Sequence, residues 1–339
     1  MAHKHTVVIF GASSAGNAAL QTLKTSWKAL AFCDNDERKH GKSFCGLPVI
    51  SPKAINEKSF DLILIASCYA REIFNQLIFM GVPEAKIQFS DAPPDLKAYA
   101  DWKLQHANRL EAFRNLHAGE DCFILGNGPS LNRTNLEVLN AYHTFALNKI
   151  YLLFDRSQYR PSYHVAINKL VIEQSVKELE AFDFPSFVSY AGGSDLVTAS
   201  DRIFFLHTGY TYSFSRDATD TIIEGSTVTY AALQLAYFMG FSRVFLVGVD
   251  HSFSAQGNPH EKQKMGESDP NHFDPRYFAN QDWQLPDLEG SEASYLLAKT
   301  AFETSTPPRQ IFDATIGGKL RVYPKLDYES ALRMARPKQ

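Results

Sequence analysis

Short apolar runs rich in β-branched residues alternate along the chain with stretches whose apolar positions recur every three or four residues. That alternation predicts repeated strand–helix–strand units and parallel sheets. In the N-terminal part the pattern predicts strands over 6–11, 27–33, 61–66 and 85–89, with helices over 15–23 and 69–80. Further on it predicts strands over 122–125, 143–147, 161–167, 187–190, 204–206 and 243–247. The intervening helices are expected over about 131–140, 171–182, 225–239 and 289–303, and the chain closes as strand, turn, strand over 311–320.

The Pro-rich segment 91–97 breaks the first pattern, and Trp102, Leu110, Phe113 and Leu116 then mark one face of a linker helix. The fold class read from this is α/β, two Rossmann-like parallel-sheet domains joined by a helical linker. The expected divisions are 1–92, a linker over 93–118, and a second domain over 119–339. One stretch fits no element. Residues 252–288 are long, polar and aromatic, with His260, His272, Asp274, Arg276, Tyr277 and Trp283. A segment of that length is expected to be a functional lid or a disordered insert, and its aromatic content argues against permanent disorder.

Composition narrows the function classes. The 339 residues carry a net charge of −3, with 45% hydrophobic and 21% charged residues. This balance gives no reason to expect nucleic acid or an anionic membrane as the main partner. The longest apolar runs fall far short of a membrane span, and residues 1–5 run into a strand with no leader-like apolar core, so the expected setting is cytoplasmic. Cys33, Cys45, Cys68 and Cys122 form no Cys-x-x-Cys pair and read as structural thiols rather than a metal or redox centre.

The candidate chemistry gathers at strand ends. The run 122–125 breaks into Gly126-Asn127-Gly128-Pro129-Ser130-Leu131. Glycines there permit positive φ and close backbone approach, and exposed amides suit phosphate or ribose oxygens. The same turn also serves a plain strand connection. Asn148 and Asn168 end the next two strands, where open α/β sheets bind ligands, although asparagine is also a common turn former. Gly225-Ser226-Thr227-Val228 opens an apolar helix, where its hydroxyls serve either as a cap or as phosphate contacts. The strand over 243–247 ends in Gly248-Val249-Asp250-His251.

In the N-terminal domain, Gly11-x-x-x-x-Gly16, Asp34-Asn35-Asp36 and Gly46-Leu47-Pro48-Val49 together resemble the small Rossmann domain that precedes many bacterial sugar-modifying enzymes. The resemblance implies a nucleotide-sugar or dinucleotide at Gly11, Gly16 and Asp34. The missing middle glycine argues against a catalytic nicotinamide site, and a scaffold or sensor role stays open.

In the second domain, the Gly126–Leu131 turn, the Gly225–Val228 helix start, the strand ending Gly248-Val249-Asp250 and the closing Asp313-Ala314-Thr315-Ile316-Gly317-Gly318 resemble a wider group. It comprises bacterial proteins grouped with the archaeal 6-hydroxymethylpterin diphosphokinases (domain of unknown function 115). The likeness spans roughly 119–325. More distantly, the same order of features is similar to the bacterial sialyltransferases of glycosyltransferase family 42.

The sialyltransferase likeness implies nucleotide and donor-sugar contacts at Gly126, Asn127, Gly128, Ser130, Asn148 and Asn168. It implies phosphate contacts at Ser226 and Thr227, with Arg276 and Tyr277 available for the leaving group. A lid histidine would be the base, His272 first and His251 second, with Asp250 as a further catalytic candidate. The donor would be a CMP-activated acidic sugar and the acceptor a glycan or small molecule, with no cofactor required. A homo-oligomer stays open. The diphosphokinase likeness instead implies ATP and Mg²⁺ held by Asp250 with Asp269 or Asp274, without a Walker lysine motif. A third reading is a non-catalytic nucleotide-sugar sensor in surface polysaccharide assembly.

Overall fold

A computed structural model describes residues 5–57, 60–92, 95–254, 257, 259 and 261–338. His260 and the Pro93-Pro94 pair lie outside the described residues. The chain divides into two units, 1–101 with 209–213, and 102–208 with 214–339. Both are α/β units built on parallel sheets.

The first unit holds β1 His5–Phe10, β2 Trp27–Cys33, β3 Ser43–Phe44, β4 Leu47–Ile50, β5 Leu62–Ile65 and β6 Ile87–Phe89. Their order in the sheet is β3-β4-β2-β1-β5-β6. Val7, Val8, Ile9 and Phe10 are all buried. A strand covered on both faces reads as a continuous apolar run for that reason. Helices Ser14–Gln21 and Ala70–Phe79 provide the crossovers. β3 and β4 form a hairpin that the sequence pattern did not mark as strands. Cys45 and Gly46 both take positive φ, the conformation a tight two-residue hairpin turn requires. Tyr212, from the 209–213 segment, packs its ring against Phe74 and Phe89.

The second unit carries β7 Asp121–Leu125, β8 His143–Leu147, β9 Tyr163–Ala166, β10 Ser186–Ser189, β11 Ile203–Gly209, β12 Thr221–Ile223, β13 Arg243–Val247, β14 Lys262–Lys264, β15 Asp282–Gln284 and β16 Gln310–Asp313. Eight of them form one sheet in the order β12-β11-β10-β9-β8-β7-β13-β16. Helix Val228–Phe238 is buried nearly all round, matching its uniformly apolar sequence.

Several expectations are corrected. The helix expected over about 131–140 is two 3₁₀ turns, Pro129–Arg133 and Glu137–Ala141. Asn132, Thr134 and Asn135 disfavour a helix interior, and two of them bond elsewhere: Asn132 Nδ2 donates to Phe273 O and Thr134 Oγ1 to Ser130 O. The linker helix changes type along its length, with a π segment at Lys103–Ala107, and its Leu116 is exposed rather than on the buried face. After β16 the chain makes a single bridge, Asp313 to Lys325, instead of a closing strand.

In its described part the segment over 252–288 is ordered and packed. β14 and β15 pair as an antiparallel ribbon, and Phe273, Tyr277 and Phe278 are buried in the main core with Phe123, Leu125 and Phe245. Of the four cysteines, all free, Cys33 and Cys122 are buried while Cys45 and Cys68 are exposed.

Candidate functional site

Strand order reverses direction between β7 and β13. From β7 the chain adds β8, β9, β10 and β11 on one side, then returns to place β13 on the other. Such a switch point leaves a crevice beyond the carboxyl ends of the two strands. There the Gly126-Asn127-Gly128 turn meets Gly248-Val249-Asp250. The two are joined by Gly126 N to Val247 O at 2.8 Å and Gly128 N to Gly248 O at 2.9 Å.

The glycines are needed for contact, not for positive φ: neither Gly126 nor Gly128 adopts it. A Cβ on Gly126 would stand 2.3 Å from Gly248 O, and one on Gly128 would stand 1.9 Å from Asp250 Oδ2. Positive φ falls instead on Asn148, Ser226, Gly248 and His251 around the same region of sequence ends.

Asp250 faces the turn. Its Oδ2 accepts from Ser130 Oγ at 2.5 Å and its Oδ1 from Ser130 N at 3.3 Å. Burial raises its pKa above the ordinary carboxylate value, and the Ser130 bonds oppose that. His251 next to it is half-buried, 3.6 Å from Glu292 Oε1, with its ring edge-on to Tyr295. Burial lowers its pKa. Tyr295 in turn lies 3.5 Å from Thr227 Oγ1. Thr227 is the cap of helix Val228–Phe238, its hydroxyl accepting from Thr229 N, while Ser226 Oγ donates to Asp287 Oδ2 at 3.3 Å. Both hydroxyls are thus engaged at the helix start.

Asn127 and Asn148 share a property. Among the described residues, five buried side-chain polar atoms lack a partner, and two of them are Asn127 Oδ1 and Asn148 Oδ1. A buried, unpaired amide oxygen costs free energy unless something else completes it. Asn148 is held by its backbone, with its carbonyl accepting from His164 Nε2 at 2.7 Å. His164 is fully buried, and its other ring nitrogen lies 2.8 Å from Ser186 Oγ. Burial lowers its pKa to about 4, so the ring is neutral. Asn168 differs: its Oδ1 caps helix Lys169–Glu173, accepting from Leu170 N and Val171 N.

The 269–278 segment docks onto the glycine turn through Phe273 N donating to Asn127 O at 2.9 Å. His272 precedes that contact. Its Nδ1 is 2.7 Å from Asp269 Oδ2, and its ring lies parallel to Tyr277 at 3.9 Å. An ionised carboxylate only accepts, so Nδ1 carries the hydrogen and Nε2 is the basic nitrogen. Asp269 itself is 3% exposed. Tyr277 is buried, its hydroxyl accepting from Lys149 N at 3.4 Å, so the phenol faces the interior. Arg276 is paired with Asp274 and Asp155.

Lys149, which the sequence reading passed over, is buried in the same wall. Its Nζ donates to Tyr277 O and to Gln281 Oε1 and sits over the Phe278 ring. Burial lowers its pKa to about 8. The Asp269–His272 pairing was also not read from the sequence, although a spacing of three residues around Pro270 was the available signal. Among the described residues, Asp250, Asp269 and Asp274 do not converge as a metal-binding set.

In the first unit, Gly11 has a φ of +120°, and a Cβ there would stand 2.2 Å from Ala66 O, at the point where β1 and β5 part. Gly16 packs equally closely against Gly11 O. Asp34 Oδ2 accepts from Ala12 N and Lys39 Nζ, and Oδ1 from Asp36 N. The structure therefore brings Gly11, Gly16 and Asp34 to one strand end, with the carboxylate already bonded.

No curated protein sequence matches the chain. A MAf glycosyltransferase from Magnetospirillum magneticum AMB-1 is 13% identical, aligning 99% of this chain with 59% of that one at a TM-score of 0.43. The chain thus spans less than two thirds of that protein's length. The UDP-D-quinovosamine 4-dehydrogenase from Vibrio fischeri is 25% identical over 30% of this chain and 86% of that one, with a TM-score of 0.22. Neither likeness bears on the residues of the crevice. Among the described residues no helix is long and apolar enough to cross a membrane. Residues 3–88 match the family model described as C2185-like, N-terminal, and residues 96–256 match the one described as 6-hydroxymethylpterin diphosphokinase MptE-like.

Proposed function

We propose that the second unit is a nucleotide-dependent transferase that moves an acidic sugar from a CMP-activated donor to a glycan or small-molecule hydroxyl. The observation that carries this reading is the Asp269–His272 pair seated against the glycine turn at the switch point, beside the unpaired oxygens of Asn127 and Asn148.

The chemistry follows from those groups. Asn127 and Asn148 take N–H or O–H donors of the base and ribose, completing their own bonds. The acceptor hydroxyl gives its proton to His272 Nε2 while its oxygen bonds to the anomeric carbon. The bond from that carbon to the phosphate oxygen breaks, and the nucleotide monophosphate leaves with the electron pair. Asp269 stabilises the imidazolium that forms, which is the role a buried carboxylate plays beside a histidine base. Gly126 and Gly128 let the turn pack directly against Gly248 and Asp250, which keeps Asp250 beside the crevice. His251 is the second candidate for the base, with Asp250 as a further acid–base group.

The match of residues 96–256 supports a second reading, a Mg²⁺-dependent pyrophosphoryl transfer from ATP to a hydroxymethylpterin. In that reading Asp250 would hold the ion against the phosphates. The two readings separate by ligand: CMP bound without a metal supports the first, and ATP bound only with Mg²⁺ supports the second. Turnover of a CMP-sugar by wild type and its loss in His272→Ala test the chemistry itself.

A further inference from the structure

At the other end of the same sheet, His117, Glu120 and His143 form a group that the crevice does not use. His143 opens β8 and Glu120 precedes β7. β8 spans about 16 Å at ~3.3 Å per residue, so the group stands well away from Asn148. We propose that these three side chains bind a divalent transition-metal ion, zinc by their donor chemistry, and that the ion ties the 117–120 turn to the first residue of β8.

One carboxylate oxygen is approached by two imidazoles: Glu120 Oε2 lies 3.4 Å from His117 Nδ1 and 2.8 Å from His143 Nε2. The three ligand atoms all fall within 4.8 Å of one another. An ion about 2.0–2.2 Å from each holds tetrahedral ligand atoms roughly 3.3–3.6 Å apart, which the His117–Glu120 pair already meets and the shorter His143–Glu120 contact reaches by opening slightly. Among the described residues this is the sole group of three or more metal-ligating side chains that converges in this way.

The group is also oriented as ligands are. His117 stacks on Phe241 at 4.6 Å, and its Nε2 meets the Tyr163 hydroxyl at 2.7 Å, which leaves Nδ1 facing Glu120. A second-ring-nitrogen contact of this kind fixes a metal-binding imidazole. The backbone of the turn is pinned by His117 N to Met239 O, Gly119 N to Gly240 O and Ser242 N to Glu120 O. The two imidazole rings are only 4.0 Å apart. Two nitrogens and one oxygen suit zinc better than magnesium or calcium. Glu120 is partly exposed, so water can take the fourth position.

The test uses the full chain, stripped with a chelator and titrated with ZnCl₂ against a competing indicator. One zinc per chain is expected, with a rise in thermal midpoint that the chelator reverses. Glu120→Gln and His143→Gln should weaken zinc at least 100-fold, and Tyr163→Phe by about 10-fold, the scale of an orienting contact. His272→Gln should bind zinc as wild type does. If a variant fails to fold, Co²⁺ added to the stripped wild type should give the visible bands of a tetrahedral site with nitrogen ligands. No zinc uptake by wild type, uptake unchanged in His143→Gln, uptake lost in His272→Gln, or no such bands would each overturn the proposal, the first leaving a proton-bridged histidine–glutamate pair.

Discussion

The amide of Phe273 donates to the carbonyl of Asn127 across 2.9 Å, which sets His272 one residue from the turn that ends β7. The base candidate and the nucleotide candidate are therefore joined through backbone, not merely close in space. Asp269 completes the arrangement by holding Nδ1 of the same histidine.

From that relationship, His272→Ala should keep nucleotide affinity and lower turnover by ~100-fold or more. Asp269→Asn should also lower turnover, since an amide no longer stabilises the imidazolium. Single-turnover kinetics beside equilibrium binding separate the two effects. Full activity in His272→Ala would move the base to another residue.

Asn127→Ala makes an opposite pair of predictions. Because Oδ1 has no partner in the protein, its removal should leave the thermal midpoint nearly unchanged. Nucleotide affinity should fall by about 10-fold, the worth of one good hydrogen bond. A large loss of stability with intact affinity would make Asn127 a structural residue.

Gly128→Ala tests the close approach. Its Cβ would meet Asp250 Oδ2 at 1.9 Å and force the carboxylate off Ser130. A cost of about 1–3 kcal/mol is expected in denaturant unfolding. Gly266→Ala, which meets nothing nearby, is the matched control.

His164 gives the pH dependence. Its folded pKa is depressed to about 4, so between the ordinary histidine value and that figure the unfolded chain takes up a proton that the folded chain refuses. Stability is full above about pH 6.5 and falls as the solution is acidified through the window, by on the order of 3 kcal/mol at its lower end. His164→Gln should flatten this acid limb in urea melts at a series of pH values. It should also weaken nucleotide binding, since the imidazole holds the Asn148 carbonyl.

The sheets were legible because buried parallel strands are continuous apolar runs, as Val7 to Phe10 and Cys122 to Leu125 illustrate. The switch point was half legible: the glycine turn and Asp250 stood out, but that they touch depends on a strand order fixed by pairings over 120 residues apart. The helix expected near 131–140 misled because Leu131, Leu136 and Leu139 suit two short turns as well as one helix, and local polar bonds decide between them. The 252–288 stretch hid its burial. Phe273 and Tyr277 stand four residues apart, but Pro270 and Pro275 interrupt any helix there, so the place of these rings in the core comes from tertiary contact. Asn168 looked equivalent to Asn148 in sequence, and only the fold shows one oxygen capping a helix and the other unpaired.

The central claim is tested most directly by calorimetric titration of the full chain with CMP in the absence of metal. The account predicts saturable binding at one site, weakened in Asn127→Ala and retained in His272→Ala. No binding of CMP, with ATP taken up only when Mg²⁺ is present, would contradict it and assign the crevice to pyrophosphoryl transfer.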